Sequence, residues 1–304
     1  MRLLVVTARY PTPDRPAAGA FVRDRLADSA LETNVIAPPR YDGPGWRRYA
    51  EIAWRALTER GRFDGVEGHF VLPTGPIAVV AARLRRRPLV LYAHGSDVGV
   101  MARRNRLFGA LARWAIGAAD AVVTNSPDTA ADVAALGGAA EIVPPGIELG
   151  RFAPSPRPAM RKVLYLGGAG RLKGHDIAER LADTLAGPGL REVAPEEVPA
   201  LLAAHDVLLV PSRSEGYGLV AAEAIASGRW VVARAVGGLR EIVEPGINGT
   251  LVEEDDEFAG ALAAVPDYAP EQLAAGAGRF GIARHRAGMA SVWERVLARR
   301  AERR

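Results

Sequence analysis

The 304-residue chain contains no cysteine, which excludes a disulfide framework, a thiolate nucleophile and a cysteine-ligated metal centre. It also lacks any uninterrupted apolar run of the roughly 18 residues that a membrane-spanning helix needs. The N-terminal sequence MRLLVVTARYP has an apolar run too short for a signal peptide, so we expect a cytoplasmic protein. With 49% hydrophobic and 24% charged residues, a chain of this length is expected to form about two folded domains.

Lysine is scarce. Of the 39 basic side chains only Lys162 and Lys173 are lysines, which leaves 37 arginines. The net charge of +4 would by itself invite nucleic acid. However, we interpret the arginines as a compositional bias spread along the chain, and no interleaving of aromatic and basic residues favours nucleic acid. No nucleic-acid partner is therefore expected, and a lysine that persists in such a chain merits attention.

Short apolar runs alternate with helical patterns in both halves of the chain. The first half predicts strands at 3–6, 35–37, 89–92 and 121–124, and helices at 21–32, 46–60, 76–86, 100–118 and 128–136. The second half predicts strands at 163–166, 206–210, 230–233 and 250–252, and helices at 176–185, 196–204 and 219–227. This alternation is typical of doubly wound α/β domains with parallel sheets.

Three prolines within residues 154–158 indicate a linker, because such a segment suits neither a central strand nor a helix interior. The predicted domains are therefore residues 1–153 and 154–280, followed by a basic helix over 281–304 that is expected to pack back on the first domain. Two domains of this kind leave a cleft between them, and their ligands bind beyond the carboxyl ends of the strands.

Three loops of the second half carry chemistry. The loop SRSEGYG places Glu215 just before a helix that contains Glu223, while its glycines free backbone N–H groups to face a phosphate. Carboxylates accept hydrogen bonds from sugar hydroxyls. The alternative is an ordinary strand–loop–helix connection with two solvent-exposed glutamates.

The loop GAGRLKG carries Arg171 and Lys173 between glycines at a strand end, which favours binding of a diphosphate. Its spacing matches neither a Walker A loop nor a dinucleotide fingerprint. A third loop begins at Gly237–Gly238, again at a strand end. Three such loops in one domain make coincidence a weak explanation.

The run S-x-x-E-G-Y-G-L-V-x-x-E-A-x-A-x-G-x-x-V-V-A from Ser212, followed by G-G-x-x-E-I-V-x-x-G-x-N-G, resembles the donor site of retaining glycosyltransferase family 4. The resemblance covers nearly the whole chain. It implies the GT-B architecture, with two Rossmann-like doubly wound domains facing a cleft and the second domain shortened. It also implies transfer of a sugar from a nucleoside-diphosphate sugar to an acceptor hydroxyl by front-face attack, with retained anomeric configuration and no obligatory metal.

The resemblance implies a role for each matching residue. Glu215 is expected to act at the donor sugar as a catalytic group, and Glu223 to bind the ribose. The remaining assignments are donor-sugar contacts for Gly216, Tyr217 and Asp97, diphosphate contacts for Gly19, Arg171, Lys173, Gly218 and Leu219, and a catalytic position for His94 in the segment LYAHGSDV. Arg171 substitutes for an arginine that the family places at Gly168.

Two of these assignments have alternatives. His94 is otherwise a packed residue at a strand end, and Asp97 otherwise orients His94 or caps the next helix. Four other histidines lack metal-ligand spacing with each other or with carboxylates, and since a lone histidine is usually structural, none is assigned a metal: His69, His175, His205 and His285.

The chain departs from the family between Lys173 and the strand at 206–210, where about one βα unit and the base-contacting loop are reduced to a remnant with Arg191 to Val193. UDP and GDP sugars are the expected donors. Two other functions remain open. An inert shortened homologue would act as a partner subunit, and an epimerase of the same fold would need further acid and base groups.

The acceptor is left open among small molecules, glycans and lipid-linked compounds. The segments RLRRR and MARRNRLFGALARWAIG combine arginines with large apolar residues, as helices resting on anionic membranes do. The alternative, which the composition favours, is a core-packing helix with an arginine-rich outer face. Peripheral contact with the inner face of a membrane is therefore a secondary expectation.

Overall fold

The computed structural model describes residues 1–27, 30–42 and 44–302, so parts of the predicted helices 21–32 and 281–304 lie outside the described residues. The chain divides into two compact units, Met1–Pro144 with His285–Arg304 and Pro145–Arg284. Each unit is built on a parallel sheet with helices, which confirms the predicted pair of doubly wound α/β domains.

The first unit holds a six-stranded parallel sheet in the order β2-β1-β3-β4-β5-β6. Its strands are β1 (Arg2–Thr7), β2 (Glu32–Ile36), β3 (Gly65–His69), β4 (Leu89–Ala93), β5 (Ala121–Thr124) and β6 (Glu141–Ile142). Its helices are α1 (Ala20–Leu26), α2 (Gly45–Thr58), α3 (Gly75–Arg85), α4 (Arg106–Ala118) and α5 (Pro127–Ala135), with a π-helical turn over Asp97–Met101. Parallel strands are buried on both faces, which explains the continuous apolar run in β1.

The second unit holds a five-stranded parallel sheet in the order β11-β10-β9-β7-β8. Its strands are β7 (Val163–Leu166), β8 (Thr184–Ala186), β9 (Val207–Val210), β10 (Trp230–Arg234) and β11 (Gly249–Val252). Its helices are α6 (His175–Leu181), α7 (Val198–Ala203), α8 (Leu219–Ala226), α9 (Leu239–Ile242), α10 (Glu257–Ala263) and α11 (Pro270–Ala274).

Three strands of the sheets were not predicted from the sequence: β3, β8 and the two-residue β6 at the edge of the first sheet. The strand β3 has the sequence GVEGH and is fully buried. Its glycines and polar side chains do not form the apolar pattern from which a buried strand is predicted. The strand β8 lies where the helix was predicted to continue to residue 185, because α6 ends at Leu181 and the chain then pairs with β7. The predicted helix over 100–118 likewise begins only at Arg106, after the π-helical turn.

The division between the units falls nearer to the N-terminus than the predicted boundary at 153/154. Ile147 exchanges backbone hydrogen bonds with Phe280 and Ile282, and Phe152 is buried in the core of the second unit. The Arg157 side chain then binds Asp206 of the same unit. The proline-rich segment is therefore a surface strap of the second unit.

The C-terminal helix α12 (Ile282–Glu302) runs from the second unit into the first. Alternate residues of the first sheet face opposite sides, as expected for β-strands. One face packs on α2, α3 and α4, and the other packs on Met289, Val292, Trp293 and Val296 of α12. No helix within the described residues is long and apolar enough to cross a bilayer.

Trp293 is the largest fully buried side chain, and its ring lies directly over the backbone of β3. A Cβ on Gly65 would overlap two ring atoms of Trp293, so the close approach of helix and sheet requires glycine there. Gly117 offers the opposite case, because a Cβ in that position of α4 would meet nothing within 4 Å.

We expect Gly65→Ala to lower the free energy of unfolding by about 1–3 kcal/mol, the usual cost of overpacking a core. Gly117→Ala should raise it by roughly 0.5 kcal/mol, because alanine favours the helix and adds no clash. Urea denaturation followed by tryptophan fluorescence measures both. Equal effects of the two substitutions would contradict the close packing of Trp293 on β3.

Candidate active site

The three glycine loops predicted from the sequence come together in the second unit. They follow β7, β9 and β10, which are consecutive neighbours in the sheet, and parallel strands present their carboxyl ends at one edge. A Cβ on Gly174 would overlap the Pro211 carbonyl oxygen, and a Cβ on Gly237 would overlap that of Glu215. Both glycines have positive φ, so the backbones interlock only because these residues lack side chains.

The Lys173 side chain joins two of these loops. Its Nζ donates to Oε2 of Glu215 over 2.7 Å, and the same oxygen accepts from the Ser212 hydroxyl at 3.2 Å. The Lys173 side chain keeps 43% of its surface exposed, whereas Glu215 keeps 14%. The carboxylate is therefore held in place, and the ammonium group has further donors for a ligand.

The Tyr165 side chain of β7 holds the first loop by contacts with its backbone carbonyls. The sequence alone does not predict this role. Its hydroxyl donates to the Gly168 carbonyl at 2.7 Å and lies 3.3 Å from the Lys173 carbonyl. Burial, with the nearby Glu215 carboxylate, raises the pKa of Tyr165 to about 12, so the hydroxyl stays a donor. Its only sequence signal was a tyrosine inside the apolar strand.

Helix α8 begins directly behind the second loop, after Gly218 with φ of 99°. The backbone N–H groups of Gly218, Leu219 and Val220 bind no acceptor among the described residues, which is the usual state of a helix start that receives an anion. Glu223 follows on the same helix and is partly exposed. The residues predicted to contact the diphosphate, Gly218 and Leu219, therefore lie about one helical turn before Glu223, which is predicted to contact the ribose.

The predicted sugar contacts Gly216 and Tyr217 have different surroundings. Gly216 is partly exposed, and its carbonyl accepts from the Gly238 N–H at 3.2 Å. Tyr217 is buried with its ring against Gly238, and this burial raises its pKa to about 12. Its side chain therefore fastens the second loop to the third.

Two arginines near Lys173 differ in what they bind. Arg213 is held by Asp176 and Asp255, and its hydrogen bonds bring the pKa of Asp176 down to about 2. Arg171 is exposed and makes no ion pair with any residue that the structure describes. Arg171, unlike Arg213, therefore keeps its charge available for a ligand.

In the first unit His94 follows β4 and lies among aromatic rings. Its ring stacks on Tyr92 with centroids 4.6 Å apart, and Phe70 and Phe21 approach at 4.4 and 4.9 Å. Phe70 has φ of 71°, an uncommon backbone conformation for a bulky residue and one that clusters at functional sites. Burial, together with the neighbouring His69, His285 and Arg9, holds the pKa of His94 well below its usual range.

His69 is not a lone histidine, because it has a histidine partner and a carboxylate partner. Its Nδ1 lies 3.1 Å from Nε2 of His94, and its Nε2 lies 2.9 Å from Oε1 of Glu67. The other oxygen of Glu67 accepts from Arg25 at 2.7 Å and from Trp293 at 2.9 Å. The sequence pattern E-x-H is consistent with this contact, because residues two apart on a strand share a face, but the sequence does not predict β3 as a strand.

Asp97 is buried beneath the loop that carries His94. One carboxylate oxygen accepts from the Val71 N–H at 2.7 Å, and the other accepts from the His94 N–H at 3.0 Å. Burial outweighs these bonds and raises the pKa of Asp97 to about 6. Of the two roles considered for Asp97, this placement favours orientation of the His94 loop.

Gly19 directly precedes α1, and its φ of 69° lets the backbone approach the Arg9 carbonyl, where a Cβ would clash. Helix α1 then supplies Phe21 beside His94 and Arg25 at Glu67. Among the described residues no group of three or more His, Cys, Asp or Glu side chains could hold a metal ion.

Comparisons with known proteins agree in their result. The profile of Glycosyltransferase Family 4 matches residues 2–151, and that of Glycosyl transferases group 1 matches residues 152–266.

The D-inositol 3-phosphate glycosyltransferase of Geodermatophilus obscurus is 33% identical, over 82% of this chain and 67% of that protein. D-inositol 3-phosphate glycosyltransferase 1 of Catenulispora acidiphila is 31% identical, over 90% of this chain and 81% of its own length. The crystal structure of HepE from Anabaena in complex with UDP and glucose superposes with a TM-score of 0.74 at 19% identity, covering 97% of this chain and 99% of that one. The chain belongs to glycosyltransferase family 4 and has the GT-B fold.

Proposed function

We propose that this glycosyltransferase moves a sugar from a nucleoside-diphosphate sugar to an acceptor hydroxyl, with retention of the anomeric configuration. The observation that carries the proposal is the Lys173–Glu215 pair, which joins two glycine loops beside the start of α8. This arrangement puts an ammonium group, free backbone N–H groups and an oriented carboxylate at one sheet edge.

Departure of a nucleoside diphosphate builds negative charge on the leaving oxygen. Lys173, Arg171 and the N–H groups of Gly218 and Leu219 would stabilise that charge, because preorganised donors act most strongly where charge develops. Helix α8 adds the partial positive charge of its N-terminus. With these groups at hand, we propose that the reaction has no obligatory metal.

Two carboxylates would bind the sugar and the ribose of the donor. Glu215, held by Lys173 and Ser212, accepts hydrogen bonds from sugar hydroxyls, and Glu223 accepts them from the ribose. Because Glu215 is already bound to an ammonium group, it is poorly suited to attack the anomeric carbon. The acceptor hydroxyl would attack from the face that the diphosphate leaves, and the departing phosphate would take its proton.

We infer that the donor is a UDP sugar, since the HepE structure holds UDP and glucose. D-inositol 3-phosphate, named for the relatives at 31–33% identity, is the first acceptor to test. An inert partner subunit would have no need of an ordered Lys173–Glu215 pair. An epimerase would need acid and base groups beside the sugar, and His94 and Asp97 are the candidates.

A second proposal, contact with a membrane, is based on a basic surface of the first unit. Residues 44–118 contain 13 arginines and five acidic residues, a net charge of +8 in a chain whose total is +4. Two of the five acidic residues, Glu67 and Asp97, are buried. The segment is therefore more basic than the chain as a whole, because few acidic residues accompany its arginines.

The outer side of α2, α3 and α4 combines these arginines with exposed apolar side chains. Helix α3 packs against both neighbours, and the Arg83 guanidinium lies 5.5 Å from the Trp114 ring of α4. The exposed apolar residues of this surface are Trp46, Trp54, Leu57, Val80, Leu84, Leu107 and Trp114. We propose that this surface rests on anionic lipid, to which tryptophan and arginine are suited.

Nucleotide binding tests the donor site. Saturating UDP at 100 times its dissociation constant should stabilise the chain by about 2.7 kcal/mol, which a melting curve resolves. We expect UDP to exceed GDP, ADP and TDP, and Glu223→Ala to lose the shift because the ribose contact is removed. Glu254→Ala, at an exposed site of the same unit, is the control. No shift with any nucleotide would support the inert homologue instead.

The two lysines provide a matched pair. Lys173→Gln should weaken UDP binding roughly 10- to 100-fold, because it removes a charge-assisted hydrogen bond to phosphate worth about 1.5–3 kcal/mol. Lys162→Gln, at an exposed position before β7, should leave binding unchanged. Calorimetric titration gives both constants, and equal affinities would remove Lys173 from the diphosphate site.

Sedimentation with vesicles tests the membrane surface. We expect binding to phosphatidylglycerol vesicles at low salt, little binding to phosphatidylcholine, and release as salt screens the arginines. The double variant Trp54→Ser with Leu107→Ser should lose binding, whereas Ile247→Ser, equally exposed in the second unit, should keep it. Failure to bind anionic vesicles at low salt would refute this proposal.

A further inference from the structure

The first unit contains a continuous hydrogen-bonded line of titratable side chains, from the buried Glu67 through His69 to the partly exposed His94. The two distances are 2.9 Å between Glu67 Oε1 and His69 Nε2, and 3.1 Å between His69 Nδ1 and His94 Nε2. The sequence motifs and the proposed transfer chemistry assign no role to Glu67 or His69.

Glu67 fixes the direction of the line because it is an ionised carboxylate. Its side chain is fully buried. Burial by itself would raise the pKa of Glu67, but the Arg25 guanidinium and the hydrogen bonds from His69 and Trp293 bring it down to about 2. An ionised carboxylate only accepts hydrogen bonds, so Nε2 of His69 must carry the proton.

The second link follows from the neutrality of His69. Burial lowers the pKa of His69, although the Glu67 carboxylate opposes this effect. A neutral imidazole protonated on Nε2 presents a lone pair on Nδ1, and that lone pair faces Nε2 of His94. His94 must therefore donate from Nε2, which leaves its own Nδ1 as an acceptor.

No described residue donates to Nδ1 of His94, and the ring is only partly buried. The aromatic rings of Tyr92 and Phe70 restrict its rotation. A ligand that reaches Nδ1 must therefore bring its own hydrogen.

We propose that Glu67 and His69 are positioning residues that hold His94 in the Nε2-protonated tautomer, so that Nδ1 selects a ligand hydroxyl and rejects groups that only accept hydrogen bonds. A sugar hydroxyl meets this requirement, whereas a phosphate dianion or a carboxylate does not. The identification of that hydroxyl with the donor sugar rests on the proposed function. The tautomer itself does not.

The wild-type protein provides the first test, by long-range proton–nitrogen NMR on protein labelled with ¹⁵N-histidine. We expect His69 and His94 to be neutral and protonated on Nε2 at pH 7. His205 and His285 serve as internal references for the opposite tautomer, because their Nδ1 atoms face the carbonyls of Leu201 and Pro144. A His94→Gln variant assigns its signal. Protonation of His94 on Nδ1 would overturn the proposal.

Glu67→Gln provides the second test and predicts a reversal. Arg25 and Trp293 can only donate, so the glutamine oxygen must face them and its NH₂ group must face His69. His69 then becomes protonated on Nδ1 and donates to His94, whose proton moves to its own Nδ1. We expect both signals to exchange tautomers while His205 is unchanged.

The reversed variant should bind UDP as the wild type does, because Lys173 and Glu223 lie in the other unit, but its kcat/KM for the nucleotide sugar should fall by about 10- to 100-fold. Exchange of tautomers without any loss of turnover would overturn the selection of a hydroxyl. Absence of UDP binding in the wild type would instead refute the proposed function and leave the tautomer result standing. A purely structural role of Glu67 predicts lower stability with the His94 tautomer unchanged.

Discussion

The buried negative charge of Glu67 constrains the whole first unit. An ionised carboxylate without partners in a protein interior costs several kcal/mol, so each donor around it has to be in place. Those donors come from three parts of the chain: Arg25 of α1, His69 of β3 and Trp293 of α12. The position of one charge therefore ties the N-terminal helix and the C-terminal helix to the centre of the sheet.

The second unit reaches its geometry by a different route, through the absence of side chains. Gly174 and Gly237 allow backbone to pass against backbone where the loops after β7, β9 and β10 meet. Lys173 and Glu215 then add a single ionic contact over this tightly packed base. The first unit is organised around the fully buried charge of Glu67, whereas in the second unit the Lys173 ammonium group is partly exposed.

The sequence predicted the three neighbouring loops of the second unit, but not the hydrogen-bonded line of Glu67, His69 and His94 in the first. Glu215 and Glu223 lie eight residues apart in a helix and its preceding loop, so a local pattern contains their relation. Glu67 and Trp293 are 226 residues apart, and no local pattern connects them. The strand β3, which carries Glu67 and His69, was also not predicted. Its sequence GVEGH is buried because of the neighbouring strands and not because of its own apolar character.

The chain leaves the first unit at Pro144 and re-enters it at His285, after completing the second. During synthesis the ribosome therefore releases the whole second unit before Trp293 emerges. Domains usually fold in the order in which they are made, but the first unit cannot complete its packing before α12 has been synthesised. Until then Glu67 lacks one of its donors and the sheet face that α12 covers stays exposed, so the nascent N-terminal unit depends on how quickly its own C-terminus is translated.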